Sequence, residues 1–324
     1  MSELLKKIDE RTKLAGTNKL EILLFSLGFD QRSGRRETFG VNVFKVREVM
    51  RVPPITAAPE MPASVEGMVS LRGHLVPVID LVKYVGIEPE EKPQIMVVTE
   101  YNQHIQAFLV EAVDTIMRLD WSVMKVPPDM LNMQMGGLVT AVTELADKRL
   151  VMMIDMEKIL SDTTHYDDSK QFELIRPVEQ TRDKTYTVFY ADDSATARGQ
   201  IQRTLDALGV RAVSANNGRQ GWESLQKIAD EADSHYELVN QYVQLVLTDV
   251  EMPEMDGYVL TKNIKSDPRF AGIPVLMYSS LSSVNEHMGR AVGVEAYVSK
   301  LQPQKLADAI THYLKMAESP LAPA

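Results

Sequence analysis

The 324-residue chain contains no cysteine. That excludes disulfides, thiolate nucleophiles and cysteine-based metal centres, and it fits a reducing compartment. Histidine is scarce: His74, His104 and His165 are among only 6 and are too scattered for metal-ligand spacing. No run approaches the ~18 consecutive apolar residues that a membrane-spanning helix needs. Positive charge is also short, with 35 basic residues against 45 acidic and a net charge of -10. The deficit is shared: 14 basic and 18 acidic residues lie from Arg182 onward, and 21 and 27 before it. Neither half carries the clustered basic footprint of a phosphate-backbone binder, so nucleic acid is disfavoured as a partner. The phosphate loop G-x-x-x-x-G-K and the nucleophile elbow G-x-S-x-G are missing. Met1 to Lys13 mixes charges with leucine and lacks the apolar core of a secretion signal.

The chain does have 44% apolar residues, enough for sizeable cores, and a length that predicts one to three domains. Leu4, Leu5, Ile8 and Leu14 sit near helical spacing and predict a short surface helix over 2–14. From Leu20 the pattern becomes many short apolar runs, among them 20–27, 37–43, 65–71, 74–79, 94–99, 105–110, 113–119, 138–144 and 149–155. Gly and Pro punctuate them, which predicts an all-β barrel or paired barrels. Brief helices are expected only near 44–49, 81–85 and 156–160. Met130, Met133 and Met135, then Met152, Met153 and Met156, form a methionine-rich region suited to core filling or to a forgiving contact surface. Residues 161–184 are polar, contain Pro177, and read as a connection that Ile175 and Val178 tack onto one domain or the other.

Beyond it, strand-like and helix-like stretches alternate. Strands are expected over 186–191, 211–215, 245–248, 275–278 and 296–298, each followed by a helix: 194–208, 218–232, 257–266, 282–292 and 303–315. Five such pairs predict a doubly wound parallel sheet of flavodoxin-like order. The connection at 230–242 is longer than a compact domain of this kind needs. Residues 318–324 have the composition of a disordered tail.

The strand ends carry the chemistry. The first strand runs into Asp192-Asp193, the third into Asp249, the fourth into Ser279-Ser280 and the fifth into Lys300. In an open parallel sheet, ligands gather at the carboxyl ends of the strands. Acid pair, acid, hydroxyl and ammonium in this order resemble the response-regulator receiver domain over about 185–316. The resemblance implies that Asp249 is a phosphoacceptor served by a kinase phosphohistidine. It implies Mg2+ held by Asp193 and Asp249, by Asp192 through water, and by the backbone carbonyl of Glu251. Carboxylates crowded within a few ångströms repel by roughly 4 kcal/mol per pair at an effective dielectric near 20, and oxygen-only ligands suit that ion. Lys300 and Ser279 would meet the phosphoryl oxygens, with Tyr297 as the switch aromatic. Serine stands at 279 where threonine is commoner, and Glu251 holds a position that tunes acyl-phosphate lifetime.

The first half has its own resemblance. Thr38-Phe39-Gly40-Val41-Asn42-Val43-Phe44-Lys45-Val46-Arg47-Glu48-Val49 is similar to the CheW-type coupling domain, as is the run from Val65 to Leu81 with Gly67, Leu71-Arg72-Gly73 and Val76-Pro77-Val78-Ile79-Asp80-Leu81. This implies two SH3-like β subdomains and a scaffold between membrane chemoreceptors and a histidine kinase of the CheA type. Arg72, Val46 and Glu48 would face the receptor tips. The polar loop 30–36 is a departure that lengthens the first hairpin.

Together the halves look like a CheV-type chemotaxis protein. The expected layout is a helical segment 1–19, a coupling domain 20–162, a linker 163–184, a receiver 185–317 and a tail 318–324. The expected role is a cytoplasmic scaffold, associated with receptor arrays through its partners and tuned by phosphorylation at Asp249. It is no enzyme beyond catalysing its own phosphorylation and slow dephosphorylation. Two other readings stay open: a phosphate sink draining the kinase, and a metal-dependent phosphohydrolase, which lacks the expected D-x-D motif. A DNA-binding regulator is weaker still, since no effector domain follows the receiver.

Overall fold

The structure is a computed structural model. It describes residues 18–31, 34–57, 59–87, 89, 92–101, 104–164, 172–179, 185–280, 291–300 and 302–318. The helices expected over 2–14 and 282–292 lie largely outside these. The chain divides into two compact units, residues 20–165 and residues 166–324, the second of which also takes the chain up to Lys19.

The first unit is built on ten strands: β1 (Lys19–Asp30), β2 (Arg35–Asn42), β3 (Val46–Arg51), β4 (Val65–Leu71), β5 (His74–Asp80), β6 (Ile95–Tyr101), β7 (His104–Val110), β8 (Ala112–Asp120), β9 (Val139–Glu144) and β10 (Leu150–Ile154). They form two five-stranded sheets, β8-β1-β2-β10-β9 and β3-β6-β7-β5-β4. Each sheet contains a parallel pair, β10 with β2 and β5 with β7. Alternation sets the cores. Leu20, Ile22 and Leu24 of β1 point into one cluster with Trp121, Met124 and Val151. Phe25, on the opposite face, stacks on Phe39 with 6.0 Å between ring centroids. Val76, Val78, Met96, Val98 and Leu109 fill a second cluster. Burying each such side chain contributes roughly 1.5–3 kcal/mol.

Short helices α1 (Leu81–Val85), α2 (Asp129–Gln134) and α3 (Met156–Thr164) join them. Asp80 starts α1 by accepting from the backbone N–H groups of Val82 and Lys83. The helix expected near 44–49 is corrected. Only Val43–Lys45 coils, as a 3-10 turn capped by the Asn42 side chain, and 46–51 is strand β3. There Val46, Glu48 and Met50 alternate with the more exposed Arg47, Val49 and Arg51, the period of a half-buried strand. The methionine-rich region divides. Met152, Met153 and Met156 are buried core, whereas Met130 and Met133 on α2 are exposed.

The second unit carries β11 (Thr187–Ala191), β12 (Arg211–Ala215), β13 (Leu245–Thr248), β14 (Val275–Ser279) and β15 (Ala296–Ser299), with α4 (Ala195–Leu208), α5 (Gly218–His235), α6 (Gly257–Ser266) and α7 (Pro303–Glu318). All pairings are parallel, in the order β12-β11-β13-β14-β15. Successive residues serve opposite faces. Val188, Tyr190, Leu245 and Leu247 pack under α4 and α7, while Phe189, Ala191 and Val246 pack under α5 and α6. The long connection at 230–242 is the end of α5, then a 3-10 turn at Val239–Gln241.

Ile175 and Val178 belong to this unit. Both are buried in the α4/α7-side core, and the Val178 N–H donates to the Leu208 carbonyl at 3.0 Å. Phe172 lies under the Arg203 guanidinium, 4.5 Å from the ring centroid. Residues 172–178 of the connecting segment are thus a strap across the C-terminal end of α4. A carboxylate placed there would be buried without a partner. Val178→Asp should therefore destabilise this unit by roughly 3 kcal/mol. Denaturant unfolding followed by Trp222 fluorescence, in a Trp121→Phe background, measures it; an unchanged midpoint would show that the strap contributes nothing.

Candidate functional site

The carboxyl edge of the parallel sheet gathers the polar residues that the strand ends predicted. The strand order reverses between β11 and β13, so a crevice opens there. β11 ends at Ala191, and Asp192 continues the ladder by donating its N–H to the Ala215 carbonyl. β13 ends at Thr248, and the Asp249 N–H donates to the Ala191 carbonyl at 2.8 Å. The two backbones thereby set Asp192 and Asp249 side by side. Ligand oxygens from Asp192, Asp193 and Asp249 lie within 4.8 Å of one another. Asp192 and Asp249 are buried, and Asp193 is half-buried.

Lys300 follows β15 and is 1% exposed. Its Nζ lies 2.8 Å from Asp192 Oδ2 and 3.2 Å from Asp249 Oδ2. A buried ammonium is tolerated only with such partners. With all groups ionised, the three carboxylates outnumber this ammonium by two. Oxygen-only donors at this spacing fit a small divalent cation such as Mg2+.

Local bonds hold the acids in place. Asp192 Oδ1 accepts from the Ser194 N–H at 2.9 Å, and Ser194 Oγ caps α4 by accepting from the Ala197 N–H. Asp249 Oδ1 accepts from the Val250 N–H at 2.7 Å. The Arg198 guanidinium was not among the expected site residues. Its Nη1 donates to the carbonyls of both Asp192 and Asp193, at 2.9 Å each. The signal for it is an arginine on the first turn of the helix that follows the acid pair.

Ser279 is buried at the end of β14, beside β13, and its carbonyl accepts from the Lys300 N–H. Glu251 is half-buried in the turn after Asp249. Tyr297, on β15, packs against Val250, Tyr258, Met277 and Val294. Its hydroxyl makes a long 3.4 Å bond to that of Tyr258. Burial, first, and this neighbouring hydroxyl push the Tyr258 phenol well above its ordinary value, so Tyr258 stays neutral.

The β-rich unit brings two of its three expected residues together. Arg72 and Gly73 form the two-residue β4–β5 turn, and both have positive φ, at 49° and 84°. The turn projects Arg72 outward, and its Nη2 pairs with Glu48 Oε2 at 2.8 Å. Val46, at the start of the same strand as Glu48, is half-buried opposite Thr99.

One glycine fixes the geometry of the acid edge. A Cβ on Gly257 would overlap the Asp249 carbonyl oxygen. Gly257→Ala should push the α6 start away from the strand end and destabilise the second unit by about 2 kcal/mol, the range of an overpacked core. Denaturant melts of the two proteins check this, and a variant as stable as the parent would show that the contact relaxes freely.

Comparison with known proteins follows the same division. Residues 21–164 match the CheW-like domain and residues 188–311 the response regulator receiver domain. Chemotaxis protein CheV3 of Helicobacter pylori is 29% identical over 285 residues, covering 85% of this chain and 88% of that protein. A probable chemotaxis protein CheW of Rhizobium etli is 30% identical over 148 residues, 44% of this chain and 88% of its own length. Chemotaxis protein CheY1 of Helicobacter pylori is 35% identical over 120 residues, 36% of this chain and 87% of its own length. The chain belongs to the CheW-like and the response-regulator receiver families at once, the combination found in a CheV-type chemotaxis protein.

Proposed function

We propose that the chain is a chemotaxis coupling adaptor whose receiver is phosphorylated at Asp249. The observation that carries this is the meeting of Asp192, Asp193, Asp249 and Lys300 in one crevice, in a chain whose other unit is CheW-like. In this reading residues 20–162 form the coupling domain, 163–184 the connection and 185–317 the receiver.

A carboxylate oxygen of Asp249 attacks the phosphorus of a kinase phosphohistidine. The P–N bond breaks, a P–O bond forms, and the departing imidazole takes up a proton. The receiver's own task is to position the group and neutralise its charge. Asp192, Asp193 and Asp249 would hold Mg2+, together with the Glu251 carbonyl, and the ion supplies charge for the phosphoryl oxygens. Lys300 would leave Asp192 to pair with the phosphoryl group. Ser279 would donate a hydrogen bond to it, and Tyr297 would follow Ser279. Phosphoryl transfer and its slow hydrolysis are the only chemistry in this reading.

The partners are chemoreceptor tips and a CheA-type kinase, met in the cytoplasm at receptor arrays. No described helix is long and apolar enough to cross a membrane. The exposed turn at Arg72, with Glu48 paired to it and Val46 two residues before Glu48 on the same strand, is the receptor-facing surface. An arginine fork already held by one carboxylate is preorganised for a second from a partner.

Incubation with a phosphohistidine-labelled kinase fragment should label the protein, and Asp249→Ala should take up no label; persistent labelling would refute the acceptor assignment. Arg72→Glu should reduce capture by a receptor cytoplasmic fragment at least tenfold. Losing an exposed pair should meanwhile cost under about 1 kcal/mol of stability. Capture at the parental level would place the receptor surface elsewhere.

A further inference from the structure

Consecutive residues of an extended chain point to opposite sides. Asp192 and Asp193 nevertheless offer oxygens to one crevice. The backbone must therefore turn at this dipeptide and stay turned. The turn lies between two regular elements, after β11 ends at Ala191 and before α4 begins at Ala195. Arg198 closes it from behind. Its backbone N–H donates to the Ser194 carbonyl, and its Nη1 donates to the carbonyls of Asp192 and Asp193. One residue thus ties three successive residues to the first turn of α4, two of them through its side chain.

Helix stability alone does not account for a cation there. The amino end of a helix carries partial positive charge, and an arginine on its first turn opposes it. The two carbonyl bonds are what this guanidinium gains. It grips backbone atoms, so it adds positive charge behind the acid pair without occupying a carboxylate oxygen.

We propose that Arg198 is a positioning residue for the metal-binding acids. It holds the Asp192-Asp193 turn in the shape that lets both side chains address the cation shared with Asp249. The proposal rests on the acid trio binding Mg2+. Removing an outer support of a metal ligand typically costs about 10–100-fold in affinity.

The test is titration of the full-length chain with MgCl2 by calorimetry, alongside thermal unfolding in EDTA. Arg198→Ala should bind Mg2+ at least tenfold more weakly. Arg198→Lys, whose ammonium has three donors where one Arg198 nitrogen now serves both carbonyls, should stay within about threefold of the parent. If Arg198→Ala does not fold, Arg198→Gln takes its place under the same criterion. A variant that melts earlier yet keeps the parental Mg2+ affinity would reduce Arg198 to a structural bond and overturn the proposal. So would a Lys variant as weak as the Ala variant. A parent chain that takes up no Mg2+ would overturn the metal reading itself, a result distinct from parent and variant binding equally.

Discussion

The receiver unit depends on one buried ammonium. Lys300 is held between Asp192 and Asp249, 2.8 and 3.2 Å from their oxygens. Its attraction to each is on the order of 4 kcal/mol at an effective dielectric near 20, and the repulsion between the acids is of similar size. Without the lysine, the buried Asp192 and Asp249 would lose the ammonium that offsets their repulsion. With it, the edges of β11, β13 and β15 are drawn to one point. The same ammonium leaves the crevice short of positive charge. That remaining imbalance is what a divalent cation and then a phosphoryl group are suited to redistribute.

Much of this was legible in the sequence because the chemistry lies at strand ends. A short β-branched run followed by a charged residue gives both the element and the place of its side chain. Parallel connections then leave few ways to order five strands. Asp192, Asp193, Asp249 and Lys300 needed nothing more. The sequence could not show Arg198 at the acids' carbonyls, since that contact depends on where a helix turn brings a long side chain. Nor did polarity tell which unit takes Ile175 and Val178. Their burial beside Leu208 and Ile310 is a matter of tertiary packing.

The β-rich unit was read less well in two places: α2 (Asp129–Gln134) was not expected, and 46–49 of β3 was expected to be helical. The residues after Asn42 have mixed propensity, and a coiled start at Val43–Lys45 is real. Pairing with β6 then overrides that start and makes 46–51 a strand, with a register shift between Val46 and Glu48. The shift matters to the surface, because Glu48 meets Arg72 across from the β4–β5 turn. Local propensity cannot anticipate a pair 24 residues apart. What could be read was the turn itself, where Arg72-Gly73 between apolar runs supplies the positive φ that a two-residue hairpin demands.

The two cations at the acid edge divide the labour by what they hold. Lys300 grips carboxylates, so anything that changes the charge in the crevice must move it or repartition its bonds. Arg198 grips carbonyls, whose charge does not change during metal binding or phosphoryl transfer. A reaction that adds a cation and then a dianion to one small volume needs both kinds of restraint, one that yields and one that does not. The yielding restraint lies at the end of β15, the strand that also carries Tyr297. The fixed one lies on α4, whose far end carries Val178 and the strap. In the proposed reading, rearrangement on phosphorylation would be directed toward the β14–β15 side of the sheet, while the β11–α4 side would keep the ligands in register.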